Sequence, residues 1–161
     1  MQEKYFVRVT KDYLVFSAAH FITYDGNVCE RLHGHNYRVE AEVHGPLDEN
    51  HYVVDFIALR DSLQKIVLTF DHRMLLPTEH GQIKVRQEAG EIHVTFEDRR
   101  WLFPAGDCLL LPVANTTTEL LARYIAQEFI RELTQRGSDP PQAVRIGVDE
   151  NNGQWGFYEL S

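Results

Sequence analysis

The sequence predicts an α+β fold in which an antiparallel four-stranded sheet carries two helices on one face. Three observations predict it. Residues 33–44 alternate as a strand does: His33, His35, Tyr37, Val39, Ala41 and Val43 share one face, and Gly34, Asn36, Arg38, Glu40, Glu42 and His44 the other. Two stretches, beginning at Asp55 and at Thr116, instead place apolar residues at helical spacing. Between them, residues 80–112 read as an inserted β-hairpin followed by a further short strand. The coarse order is ββα, the insertion, then αββ, in one domain over residues 1–161.

Residues 5–20 form the first strand, interrupted near Lys11-Asp12, with Leu14, Phe16, Ala18 and His20 of one parity. Tyr24-Asp-Gly-Asn27 is turn-like and leads into the second strand, which Gly45-Pro46 ends. Those strands are natural antiparallel neighbours, so His20 at the end of one can meet His33 and His35 at the start of the next. Asp55 is a good N-cap for a helix whose apolar stripe is Phe56, Leu59, Leu63, Ile66, Val67 and Phe70, closed by Asp71-His72. In the insertion, Ile83 and Val85, the turn Glu88-Ala-Gly90-Glu91, and then Ile92, Val94 and Phe96 suggest the hairpin. Pro104-Ala-Gly106 precedes the apolar Leu109-Leu110-Leu111. Thr116 and Glu119 fit a capping box for the second helix, with Leu121, Tyr124, Ile125, Phe129 and Leu133 as its stripe. Gly137 and Pro140-Pro141 end it. Val144, Ile146, Val148 and Glu150 alternate in a third main strand, and Asn151-Asn152-Gly153 turns into a fourth, Trp155 to Leu160.

A net charge of −8 over 161 residues argues against non-specific binding to nucleic acid or to anionic membrane. No apolar run approaches the roughly 20 residues of a membrane span, and the start of the chain lacks a signal-peptide core. Cys29 and Cys108 are too few for a disulfide framework, which points to a reducing cytoplasm.

His33 and His35 head a buried apolar row, and His20 ends another. Imidazoles there are costly to bury without partners. They are either packed side chains near strand ends or ligands of one ion; three neutral imidazoles with a free fourth position are the usual pattern of a catalytic zinc site. Cys29 lies four residues before His33 in a polar, turn-like stretch. It is a small packing residue, a fourth ligand closing a structural site, or a base or nucleophile beside an open one, and a cation such as the metal or Arg31 would favour its thiolate. Cys108, in an apolar run, reads as packing. Asp71 and His72 are a helix C-terminal pair or a carboxylate–imidazole relay. Glu150 continues the inward parity of its strand, where a guanidine-like ring edge would suit it, or belongs to an exposed turn. Thr117 and Thr118 are first-turn residues whose free N–H groups could hold a polar ligand.

The motifs Phe16-Ser-Ala-Ala-His20, Cys29-x3-His33-Gly-His35-Asn-Tyr37, Val54-Asp55-Phe56, Phe70-Asp71-His72, Asn115-Thr-Thr-Thr-Glu119 and Glu150 occur in the order found in the 6-pyruvoyl-tetrahydropterin synthase family. The resemblance covers nearly the whole chain outside residues 80–112. It implies a tunnelling fold (ββααββ) assembled as a homo-oligomer, commonly a hexamer of two trimers, with Zn2+ on His20, His33 and His35. It implies Cys29 as catalytic base, working with Asp71 and His72 from a neighbouring subunit. Glu150 would anchor the pterin, with Thr117 and Thr118 lining the same pocket. The implied substrate is 7,8-dihydroneopterin triphosphate. The three-residue gap from Cys29 to His33 resembles the queuosine-pathway branch, 6-carboxy-tetrahydropterin synthase, more than the biopterin branch, which usually has a longer gap. Cys29 also sets the chain apart from family variants that carry glutamate in its place and act on dihydroneopterin.

Overall fold

The computed structural model describes residues 1–161. The expected first strand is present as two pieces, β1 (Tyr5–Val9) and β2 (Val15–His20), separated by a turn. Both pair antiparallel with the long β5 (His33–Gly45), from Tyr5↔Gly45 to Val9↔Ala41 and from Val15↔Arg38 to His20↔His33. The two registers are out of step, so residues 10–14 bulge from an otherwise continuous pairing. Between β2 and β5 a small hairpin joins β3 (Thr23–Tyr24) to β4 (Val28–Cys29) through Asp25 and Gly26, both at positive φ. With Tyr24 opposite Val28 the connection is the three residues Asp25-Gly26-Asn27, and Gly26 takes its left-handed conformation at no steric cost.

The helix α1 (Phe56–Phe70) starts where the cap predicts, with the Asp55 carboxylate accepting from the Ile57 amide at 2.9 Å. Leu59, Leu63, Ile66, Val67 and Phe70 are buried, but Phe56 is 57% exposed and so lies outside the stripe assigned to it. Immediately after, β6 (Arg73–Pro77) returns parallel to β2, and β10 (Cys108–Leu111) lies parallel to β6. The insertion supplies β7 (Lys84–Glu88), β8 (Glu91–Phe96) and β9 (Arg99–Pro104), and a short 3-10 turn at Ala105–Asp107 precedes β10. The helix α2 (Thr118–Gln135) then leads to the hairpin of β11 (Ala143–Asp149) and β12 (Trp155–Leu160).

Two expectations are corrected. The main sheet has seven strands and is mixed, in the order β10-β6-β2-β5-β11-β12 with β1 also on β5, where four antiparallel strands were expected. The insertion is a three-stranded antiparallel sheet, β7-β8-β9, where a hairpin was expected. The reason is burial on both faces at one end of the main sheet. On β6, Leu75 joins the main core while Met74 and Leu76 join a second cluster with Phe21, Ile83, Ile92, Val94 and Phe96. A strand covered on both sides reads as an unbroken apolar run without alternation.

The main core lies between the sheet and both helices, where Tyr37, Val39, Ala41 and Val43 meet Leu59, Leu63, Ile125 and Phe129. Helix α2 ends at Gly137 (φ +81), whose amide donates to the Thr134 carbonyl while that of Ser138 donates to Leu133. Its start differs from the predicted capping box: Thr117 is the N-cap, and Thr116 is fully buried and bonded elsewhere. Neither helix is long and apolar enough to cross a membrane.

Candidate metal centre and active site

Strand pairing brings three imidazoles together. His20 and His33 are Cα partners across β2 and β5, and His35 follows two residues on, on the same face. One ligand nitrogen from each lies within 4.8 Å of the others. Two of the remaining ring nitrogens have partners. His20 Nδ1–H donates to the Thr116 carbonyl at 3.0 Å, and His33 Nδ1–H donates to the Arg31 carbonyl at 2.8 Å. Those bonds fix tautomers that leave each Nε2 lone pair free, as the outer-shell bonds of metal-ligating histidines do. His35 Nε2 is buried with no hydrogen-bond partner. A buried, unpaired nitrogen facing two more lone pairs is the donor set a divalent metal ion satisfies, so these residues fit one. Burial, with smaller contributions from His33 and His35, pushes His20 down to about 4, which keeps it neutral.

The bond to His20 also accounts for the missing capping box. The Thr116 carbonyl and hydroxyl both face His20 Nδ1, so Thr116 orients that ring, and Thr117 occupies the N-cap position without a side-chain cap bond. Tyr37 floors the site, its ring 5.8 Å from His20 and 5.4 Å from His35. Its buried hydroxyl has no partner, and burial raises its pKa further above neutrality.

Cys29 ends β4 and is half-buried, with its thiol donating to the Glu30 carbonyl at 3.6 Å. Burial pushes this thiol up, opposed by the charge of Arg99 and assisted by Glu30 and Glu97. The cation at this loop is therefore Arg99, from the insertion, and not Arg31. It donates to the Cys29 carbonyl at 2.9 Å and to the Glu30 carbonyl at 3.0 Å.

Glu30 is the residue sequence reasoning passed over. Its carboxylate accepts from the Ile22 amide at 3.0 Å and lies 3.9 Å from His33 Nε2. The signal was available: a carboxylate three residues before the first histidine of the pair.

Glu150 stands where strand parity put it, with Oε1 3.9 Å from His35 Nε2. Its neighbour Asp149 is fully buried and bonded to Arg38 and to the amides of the following turn. Asp149 thus builds the turn and leaves the Glu150 carboxylate available to a ligand. Thr117 and Thr118 open α2, next to the Thr116–His20 contact. Asp71 and His72 bond to one another at 2.9 Å, and Asp71 accepts from the Ser17 amide at 2.8 Å. No bond joins them to Cys29, and the His72 side chain is 83% exposed. His72 lines a shallow cleft with Ser17, Asn36, Arg73 and Asp107. Cys108 packs against the second cluster, as its apolar run indicated.

A family model described as 6-pyruvoyl tetrahydropterin synthase matches residues 8–161. A Methanocaldococcus jannaschii protein provisionally named 6-carboxy-5,6,7,8-tetrahydropterin synthase is 29% identical over 146 residues, 90% of this chain and 89% of that one. A Pyrococcus horikoshii protein of the same provisional name is 30% identical over 138 residues, 84% of this chain and 80% of that one. Among solved structures, Plasmodium falciparum 6-pyruvoyl tetrahydropterin synthase matches with a TM-score of 0.88 at 31% identity, over 99% of each chain. A Plasmodium vivax 6-pyruvoyltetrahydropterin synthase in which a catalytic glutamate is replaced by cysteine matches with a TM-score of 0.90 at 26% identity, over 99% of each chain.

Proposed function

The chain belongs to the 6-pyruvoyl tetrahydropterin synthase family, and on that premise we propose that it is a zinc-dependent lyase. In this reading it converts 7,8-dihydroneopterin triphosphate and one water to 6-carboxy-5,6,7,8-tetrahydropterin, releasing triphosphate and acetaldehyde, a queuosine-pathway reaction. One observation carries it: three imidazoles, two of them with tautomers set by main-chain carbonyls and the third with a buried unpaired Nε2, face a common point, and the first of the His33/His35 pair follows a half-buried thiol by four residues. The relatives named for the 6-carboxy product support that branch.

Zinc held by His20, His33 and His35 would polarise the hydroxyls of the substrate side chain and acidify the adjacent C–H. Cys29 would take and return the proton as general base, with the Arg99 charge and the bound metal favouring its thiolate against the burial that pushes the thiol up. The Glu150 carboxylate would accept the two N–H groups of the pterin's guanidine-like edge, with Thr117 and Thr118 beside it. Asp71 and His72 would serve Cys29 across a subunit boundary, in a homo-oligomer built as two trimers. Their separation from Cys29 within one chain and the exposure of His72 support that arrangement. We place the enzyme in the cytoplasm, acting on a small molecule without nucleic acid or membrane.

A second reading has its own observation. Glu30 reaches within 3.9 Å of His33 Nε2, and the catalytic residue of the Plasmodium vivax enzyme is a glutamate. The base would then be the Glu30 carboxylate and the reaction triphosphate elimination to the 6-pyruvoyl product, without C–C cleavage. A non-catalytic subunit with Cys29 as a fourth ligand is the remaining alternative.

One experiment separates them. The zinc-loaded protein and its Cys29→Ala and Glu30→Ala variants are incubated with dihydroneopterin triphosphate, and products and zinc content are read by mass spectrometry. The 6-carboxy product with acetaldehyde, lost in Cys29→Ala while zinc is retained, is the expected result. A 6-pyruvoyl product that depends on Glu30 establishes the second reading. Zinc lost together with Cys29 establishes the third.

A further inference from the structure

The β3–β4 hairpin that carries Cys29 and Glu30 at its end is held from within by few bonds, beyond its own pairing chiefly the Glu30 amide and carboxylate on the Ile22 main chain at 2.9 and 3.0 Å. Its own pairing is two residues a side, and hairpins that short are marginal without support. Asn115 donates to the Thr23 carbonyl at 3.0 Å, and the support at Cys29 and Glu30 comes from the insertion, some seventy residues away along the chain. Arg99 opens β9 and turns both terminal nitrogens to the loop's main chain, at 2.9 Å from the Cys29 carbonyl and 3.0 Å from the Glu30 carbonyl. The guanidinium is braced from behind, 4.7 Å from the centroid of Trp101, which stacks in turn on Phe21 at 4.4 Å. Phe21 directly follows His20 in the chain, so the platform under Arg99 is anchored to the strand that carries a histidine of the trio. A second tie joins Asn27 to Glu97, whose side chain accepts at 3.3 Å. A third joins Thr23 Oγ1 to His80 Nε2 at 2.8 Å. The His80 tautomer is settled, because its Nδ1 accepts from the Gln82 and Ile83 amides, so Nε2 carries the proton given to Thr23.

We propose that Arg99 is a positioning residue: the inserted sheet delivers its guanidinium to clamp the Cys29 and Glu30 carbonyls, fixing where the thiol and carboxylate sit relative to the histidine trio. Each carbonyl is met by a different terminal nitrogen, and a planar guanidinium holds two such nitrogens at a fixed spacing whereas an ammonium has a single nitrogen on a flexible stem. The insertion is then part of the active site's construction. Its loss would leave the histidines in register, because β2 and β5 hold them, and would release the loop opposite.

The catalytic consequence rests on the function proposed above, while the positioning itself can be read without turnover. Full-length, zinc-loaded Arg99→Ala and Arg99→Lys are compared with the unaltered protein in three measurements: zinc content, steady-state turnover of dihydroneopterin triphosphate, and amide hydrogen exchange. In both variants zinc is retained and exchange accelerates about ten-fold or more in residues 25–32, with the rest of the chain unchanged. In both, kcat falls by about ten- to a hundred-fold with KM held within about two-fold, as expected when a reacting group is misplaced by a fraction of an ångström. Millimolar guanidinium restores part of kcat to Arg99→Ala. Unchanged exchange at 25–32, or full activity in Arg99→Lys, overturns the proposal, the latter because charge alone would then suffice. If the unaltered protein does not turn over this substrate, the function assignment fails and the exchange measurement still decides the clamp.

Discussion

His20 and His33 are Cα partners across the β2–β5 pair, and their rings meet edge to face at 4.8 Å between centroids. The candidate metal centre is thereby written into strand register. A slip of one residue would turn His33 and His35 to the opposite face of the sheet, together with the buried row that follows them. Because Tyr37, Val39, Ala41 and Val43 are all buried in the present register, the core itself enforces the ligand geometry.

Metal removal is the first consequence. His35 Nε2 is buried and unpaired without an ion, so binding energy becomes folding energy. The chelated protein should melt several degrees lower than the metal-loaded one, and His35→Ala should bring bound zinc from about one per chain to near zero. Melting temperatures that coincide with and without chelator would remove the trio as a metal site.

The metal-free protein should also be acid-sensitive. His20 is pushed from 6.5 down to about 4 by burial, so between those values the unfolded chain binds a proton that the folded chain does not. Stability therefore falls as pH drops through that window, and the loss is complete only below pH 4. At 1.36 kcal/mol per pH unit, the chelated protein should be about 2 kcal/mol less stable to urea near pH 5 than near pH 7. A His20→Leu variant should lose most of that slope; an unaltered slope would assign the effect elsewhere.

Asp149 is the structural counterpart of Glu150. Its buried carboxylate accepts from Arg38 at 3.0 Å and from the Gly153, Gln154 and Asn151 amides at 2.9, 3.0 and 3.2 Å. Burial opposes the charge, but these bonds prevail and hold the carboxyl below its ordinary range. Asp149→Ala strands several donors at once and should cost about 2–4 kcal/mol in denaturant unfolding. It should also raise KM by loosening the turn beside Glu150. A variant that kept its KM while losing stability would separate the turn from the ligand pocket.

The sequence reading was strongest where the determinants are local. The alternation after His33, the Asp55 cap and the positive-φ turn at Gly90 each depend on a few adjacent residues, and each formed as expected. Membership of the pterin synthase family followed from motifs of the same kind. What escaped depends on distant partners. Arg73–Pro77 is a parallel strand only because the chain returns through α1, and its apolar run lacks alternation because both faces are covered. Thr116 satisfies the spacing of a capping box, but His20, 96 residues away, takes its carbonyl and hydroxyl. Arg99 begins a stretch, Arg-Arg-Trp-Leu-Phe-Pro, whose pairing with β8 no local pattern announces.

Gly156 is the last test, and it links the final strand to the candidate pocket. It lies on β12 where the strand passes the first turn of α2, so close that a Cβ there would clash with Thr118 Oγ1 and stand 2.9 Å from the Glu119 amide. Backbone cannot yield as a flexible side-chain tip can, so the start of α2 must move. Gly156→Ala should therefore cost about 1–3 kcal/mol in thermal or urea unfolding. The displacement falls on Thr117 and Thr118 and on Thr116, which orients His20. Substrate KM should rise and zinc affinity weaken in the same variant, whereas Gly106→Ala, where a Cβ meets nothing within 4 Å, should change neither. If Gly156→Ala lowered stability yet left both affinities intact, the first turn of α2 would be a packing element alone, and the threonines would leave the pocket.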